Sequence, residues 1–158
     1  MEEITAYRQQ LLSGLLAVVN DVTQVVLALP PTAWNASLEL GSSTPHYTLA
    51  HLRELEIQVF NLPLHRFLIE DTPALLLFDD ISWMEENYDP AEPASAILDE
   101  FSNLRRLEVD WLRALPLQGW SRIARHPWWG VRALQWWVEL QLDVSHQHLR
   151  ELAAFLSM

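Results

Sequence analysis

Apolar residues at Ile4, Tyr7, Leu11, Leu15, Val18, Val22, Val25 and Leu29 recur at steps of three and four, the spacing of one buried stripe on a long helix. Pro30-Pro31 stops that helix, because proline has no N–H to offer and its ring clashes with the preceding turn. A polar Gly-Ser-Ser-Thr-Pro loop follows. Thr44-Pro45 then opens a second helix with inner positions Leu52, Leu55, Val59 and Leu62, which Pro63 is expected to end or kink.

Over about 71–93 the helical period disappears. This stretch holds Pro73, Pro90 and Pro93, an apolar Ala-Leu-Leu-Leu-Phe run and many carboxylates, and it reads as a long crossover with room for one short helix. Ile97, Phe101, Leu104, Leu107, Trp111 and Leu115 restore the period as the inner face of a third helix, which Pro116 terminates. An aromatic-rich loop over 118–130 leads to a fourth helix over about 131–156. No strand pattern or internal repeat stands out. Four helices with one long crossover predict an all-α four-helix bundle, with 1–158 as a single domain.

Composition agrees with a compact helical chain: hydrophobic residues make up 50% of the 158, with only 4 Gly. The formal net charge is −11 and every basic residue is Arg, so no basic face is available for nucleic acid. Over 67–104 there is no Lys, Arg or His, while Glu70, Asp71, Asp79, Asp80, Glu85, Glu86, Asp89, Glu92, Asp99 and Glu100 all fall there, a solvated acidic surface. With no cysteine, disulfides and thiolate nucleophiles are excluded. The N-terminus has no signal-peptide pattern, and no uninterrupted apolar run approaches the ~18 residues of a membrane span. A cytoplasmic location without membrane partners is the expectation.

The histidines carry the candidate chemistry. Stepping 100° per residue, His148 lies in the middle of the fourth helix's apolar arc, with Leu134, Trp137, Val138, Val144, Leu152 and Phe155 around it, while His146 falls about 160° away on the outer face. His51 edges the buried stripe of the second helix. Two inward histidines on different helices read either as core residues hydrogen-bonded to backbone or as a metal or catalytic pair.

The chain resembles the DinB/YfiT-like superfamily of bacterial four-helix bundles almost end to end. The resemblance rests on "YTLAHLRELE", "FDDISWMEENYDP", "FSNLRRLEVDWLRAL" and "RHPWWGVRALQWWVELQLDVSHQHLREL", most specifically on the His-Pro and Gly130 before the long helix that ends in His148-Leu149. It implies a divalent metal (zinc, nickel or iron) held by one histidine of the second helix and an i, i+4 pair of the fourth. Carried over, His51 is the first ligand and His148 the last; the third position is occupied by Val144, and Ser145 stands where an Asp commonly follows. His46 and His126, placed in loops before the second and fourth helices, are alternative donors, as are Glu54 and Glu151, each one turn from an inward histidine. Pocket candidates are Glu54, Trp83, Trp137 and Glu151. The Trp128-Trp129 and Trp136-Trp137 pairs read as packing at the bundle end and at a subunit contact, or as the lining of an apolar ligand site.

Two classes of function follow. The resemblance implies metal-dependent transfer of a thiol supplied by a cosubstrate, or hydrolysis, with an incomplete histidine site. The alternative, favoured by Val144, is a metal-free bundle that binds a small molecule or associates as a homodimer, without catalysis.

Overall fold

The computed structural model describes residues 2–36 and 43–157; the start of the Gly-Ser-Ser-Thr-Pro loop lies outside them. The first apolar stripe forms α1 (Glu2–Ala28), which ends ahead of the Pro30-Pro31 pair. By length and composition α1 is apolar enough to cross a membrane, more so than its broken apolar runs suggest. In this fold its stripe packs against the third and fourth bundle helices. α2 (Pro45–Leu55) starts on a Thr44 cap that accepts from the Tyr47 N–H, with Pro45 in the first turn.

Pro63 does not end the second helix. The chain widens into a π turn (Glu56–Asn61) and continues as α3 (Leu62–Ile69). In that turn Leu62 N–H reaches back five residues to Ile57 O. Val59 O, which residue 63 of an unbroken α-helix would satisfy, accepts instead from the Trp137 indole at 2.9 Å.

The crossover over 70–93 carries the short helix α4 (Asp80–Asn87), capped by the Asp79 side chain on Ser82 N–H. It leads to α5 (Ala94–Arg113). The aromatic loop is not irregular: after a 3-10 turn (Leu117–Ser121) it forms an antiparallel hairpin, β1 (Ile123–His126) with β2 (Gly130–Ala133), so helix α6 (Leu134–Ala153) begins three residues later than the sequence pattern places it. Gly130 occupies the hairpin's left-handed position at φ 70°. Four residues is the shortest run in which alternation is readable, and β2 buries no face that would alternate. The crossover is fastened to this hairpin: Leu75 N–H donates to Arg125 O and Arg125 N–H to Pro73 O.

The α5 face also differs from its apolar pattern. Leu107 is 45% exposed, whereas Arg105 and Glu108 are fully buried beside Phe101, Val109 and Leu112. The core is accordingly two apolar clusters, one around Leu15, Phe60, Val109 and Trp137, the other around Val22, Leu49, Phe101 and Leu152. Between them lies a polar layer. Arg105 grips Glu56 with two hydrogen bonds, at 3.0 and 2.7 Å, and donates to Leu15 O and Ser145 Oγ. Gln141 Nε2 donates to both Glu56 and Glu108, and Asn61 donates to Glu108.

Burial works against the Glu56 carboxylate, but the adjacent Arg105 charge and hydrogen bonds from Glu108, Arg105 and Gln141 outweigh it and hold Glu56 below the ordinary carboxylate range. For Glu108, burial and the Glu56 charge win and push it up to about 11. The layer thus holds one guanidinium, one carboxylate and one carboxylic acid, a neutral set that a low-dielectric interior tolerates.

Candidate ligand cavity and the paired histidines

A cavity of about 250 Å³ lies where the π turn, the 75–78 segment of the crossover, the hairpin and α6 meet. Its walls are mostly apolar: Val59, Phe60, Leu75, Phe78, Trp137 and Leu140 inside, with Trp128 and Leu76 at the rim, exposed by 74% and 85%. The tethering of Leu75 to Arg125 holds the crossover over the opening. Polar groups on the wall come from Asp80, His126, Gln58, Gln147 and His148.

His51 and His148 meet at one end of this region. Their ring centroids are 5.2 Å apart with planes at 71°, because both residues sit on inner helix arcs that the bundle brings face to face. Each ring already has a partner. His51 Nε2 lies 2.7 Å from Asp80 Oδ2, the first residue of α4. His148 Nδ1 lies 2.9 Å from Val144 O, one turn back on its own helix. Val144 lines the cavity with an aliphatic side chain.

The other sequence candidates fall elsewhere. Glu54 accepts from Trp83 Nε1 at 3.0 Å and pairs with Arg53 at 3.1 Å, so Glu54 and Trp83 bind each other where α2 meets α4 and do not line the cavity. Glu151 is on the surface, where it accepts from Gln147, and His146 is exposed. His46 was expected in an exposed loop; it is instead buried in the first turn of α2, between the Tyr88 hydroxyl and Glu92 O at 2.6 Å each, where it ties the crossover to the bundle. His126 is half-buried at the end of β1, stacked on Trp129 at 4.2 Å, and its Nδ1 accepts from the Trp128 and Trp129 N–H groups. Burial holds its pKa below the usual histidine range. Trp129 packs edge-to-face on both Trp136 and Trp137, which are tilted against each other, and of these Trp129 and Trp137 line the cavity.

Two features escaped the sequence pattern. Asp80 reads as one of many surface acids, and only the packing of α4 on α2 brings it to His51. The Arg105–Glu56–Glu108 layer had a signal in retrospect: Arg105 and Glu108 fall on the same helical face as Phe101 and Leu112.

A stable metal centre needs three or more protein donors. Among the described residues no group of three or more His, Asp or Glu side chains is disposed to hold a metal ion. His51 is committed to Asp80, and position 144 has nothing to donate. The residues present do not fit a resident ion.

No family model matches the chain, and no curated protein matches it. Among solved structures it is similar to one described as "YfiT from Bacillus subtilis is a probable metal-dependent hydrolase with an unusual four-helix bundle topology". The match has a TM-score of 0.83 over 94% of this chain and 85% of that one, at 21% sequence identity. The chain therefore has the YfiT-like four-helix-bundle fold.

Proposed function

We propose that this protein is a small-molecule-binding bundle whose cavity takes a compact, largely apolar ligand without a resident metal. The observation that carries this reading is the cavity itself. Its ~250 Å³ of space is walled by aromatic and aliphatic side chains, and it has only a few polar groups with which to orient a guest. It exceeds the roughly 150 Å³ that suffices for benzene in an apolar interior.

A second reading, metal-dependent hydrolysis or thiol transfer with His51 and His148 as ligands, is favoured by the YfiT-like fold and by the 5.2 Å approach of the two rings. It needs a third donor, and the position that the family resemblance gives for a third histidine is the aliphatic Val144. The first reading requires none, and for that reason we prefer it.

Titration with a neutral bicyclic aromatic such as 1-naphthylmethanol tests the proposal, because Trp129 and Trp137 on the wall report occupancy through their fluorescence. Saturable quenching is expected, weakened about tenfold or more in Val144→Phe, which fills the cavity without adding charge. Quenching that is linear in ligand, or unchanged in the variant, would place any binding outside the cavity.

A further inference from the structure

The polar groups on the cavity wall are one carboxylate, two imidazoles and the amides of Gln58 and Gln147, which both donate and accept. His51 Nε2–H donates to one oxygen of Asp80 at 2.7 Å, and the second carboxylate oxygen remains to accept. The Nδ1–H of His148 donates to Val144 O, so in the neutral ring the other nitrogen is the lone-pair side. His126 Nδ1 accepts from two backbone N–H groups, so its Nε2 carries the ring proton and is a donor. Among the described residues neither Lys nor Arg lines the cavity. Arg66, on the adjoining groove, is engaged by Glu70 and Ala74 O at 2.7 Å each.

Around these polar groups stand π faces. Trp129 packs edge-to-face on Trp137 with centroids 5.5 Å apart, and Trp128 stands at the rim. Aromatic faces attract cations through the ring quadrupole, and Asp80 is the one carboxylate on the wall among the described residues. An anion would find no opposing charge on the wall, in a chain of net charge −11. A neutral ring would gain the apolar contact but not the electrostatic one.

We propose that the cavity takes a protonated aromatic amine of about bicyclic size, its rings among the tryptophans and its ammonium group against Asp80. This rests on the ligand-binding reading above and specifies the chemistry of its guest.

Three matched probes separate the two ideas: 1-naphthylmethylammonium, 1-naphthylmethanol and 1-naphthoate, titrated into the full chain by tryptophan fluorescence at neutral pH and low salt. The ammonium is expected to bind about tenfold tighter than the alcohol, with the carboxylate weakest. In Asp80→Asn the ammonium-to-alcohol preference should fall to about twofold or less, with the alcohol unchanged. Asp79→Asn, the same charge change on a residue that does not line the cavity, should leave the preference intact. If the parent binds alcohol and ammonium equally, the amine proposal is overturned while the cavity reading stands; if none of the three binds, both fall. The parent's own ratio decides the matter even should Asp80→Asn fail to fold.

Discussion

The Trp137 indole N–H donates to Val59 O, and Val59 is the residue four before Pro63, whose ring nitrogen has no hydrogen to return to it. A buried indole on α6 thus completes a turn of the second helix that its own backbone cannot close. Trp137→Phe should destabilise the fold by about 1–3 kcal/mol, because it leaves that carbonyl without a partner in the core. Pro63→Ala, which restores an N–H to the same turn, should recover part of the loss. Urea unfolding of the single and double variants checks this; strictly additive effects would mean the two residues do not share one carbonyl.

Glu108 makes stability depend on pH in a direction opposite to that of most carboxylates. Its pKa rises from 4.5 to about 11 on folding, so between those values the native state binds a proton that the unfolded state does not, and stability falls as pH rises through the window. Glu108→Gln keeps a neutral donor and acceptor in the layer and removes the titration. Between pH 5 and pH 8 the parent should lose stability relative to this variant, on the order of 1–4 kcal/mol. Parallel pH profiles of the two proteins would contradict a buried carboxylic acid.

Glu56 is the complementary case, since its lowered pKa contributes stability above the ordinary carboxylate range that is lost as pH falls below it. Arg105→Met removes the guanidinium and leaves Glu56 buried without its ion pair, at a cost of about 3–5 kcal/mol. Arg105→Met/Glu56→Gln should be distinctly more stable than Arg105→Met alone when their denaturation midpoints are compared.

Val144→His tests how the two histidines relate to a metal-centre geometry. The new imidazole would stand one turn from His148, on the cavity wall, with His51 opposite. Zinc or nickel should raise the melting temperature of this variant far more than that of the parent, since a ligand that binds only the folded state stabilises it by mass action. Equal shifts in the two proteins would show that positions 51, 144 and 148 do not converge on one ion.

Untagged parent protein should purify with well under one tightly held metal per chain. Elemental analysis after dialysis against a chelator checks this. A stoichiometric metal that survives would restore the hydrolase reading and point to a donor beyond His51 and His148.

The bundle was legible in the chain because helix periodicity is a local property: each stripe of α1, α2, α5 and α6 repeats every three or four residues within its own segment. Prolines and the Thr44 cap marked most boundaries for the same reason. The inward histidines were legible too, because an angle on a helix needs only a residue count. What one segment cannot report is its partner. Whether Pro63 ends a helix depends on an indole 74 residues away; the burial of Arg105 and Glu108 depends on Glu56, Gln141 and Ser145 from two other helices; Asp80 is an ordinary surface acid until α4 settles on α2. Hydropathy treats a buried ion pair as solvent-facing, because the compensation that makes its burial tolerable lies in another part of the chain. The sequence by itself therefore determined the helices, their inner faces and the aliphatic residue at position 144. The cavity, the pairing of His51 with Asp80 and the polar layer between the two cores were decided only by tertiary packing, since each exists only as a distance between elements.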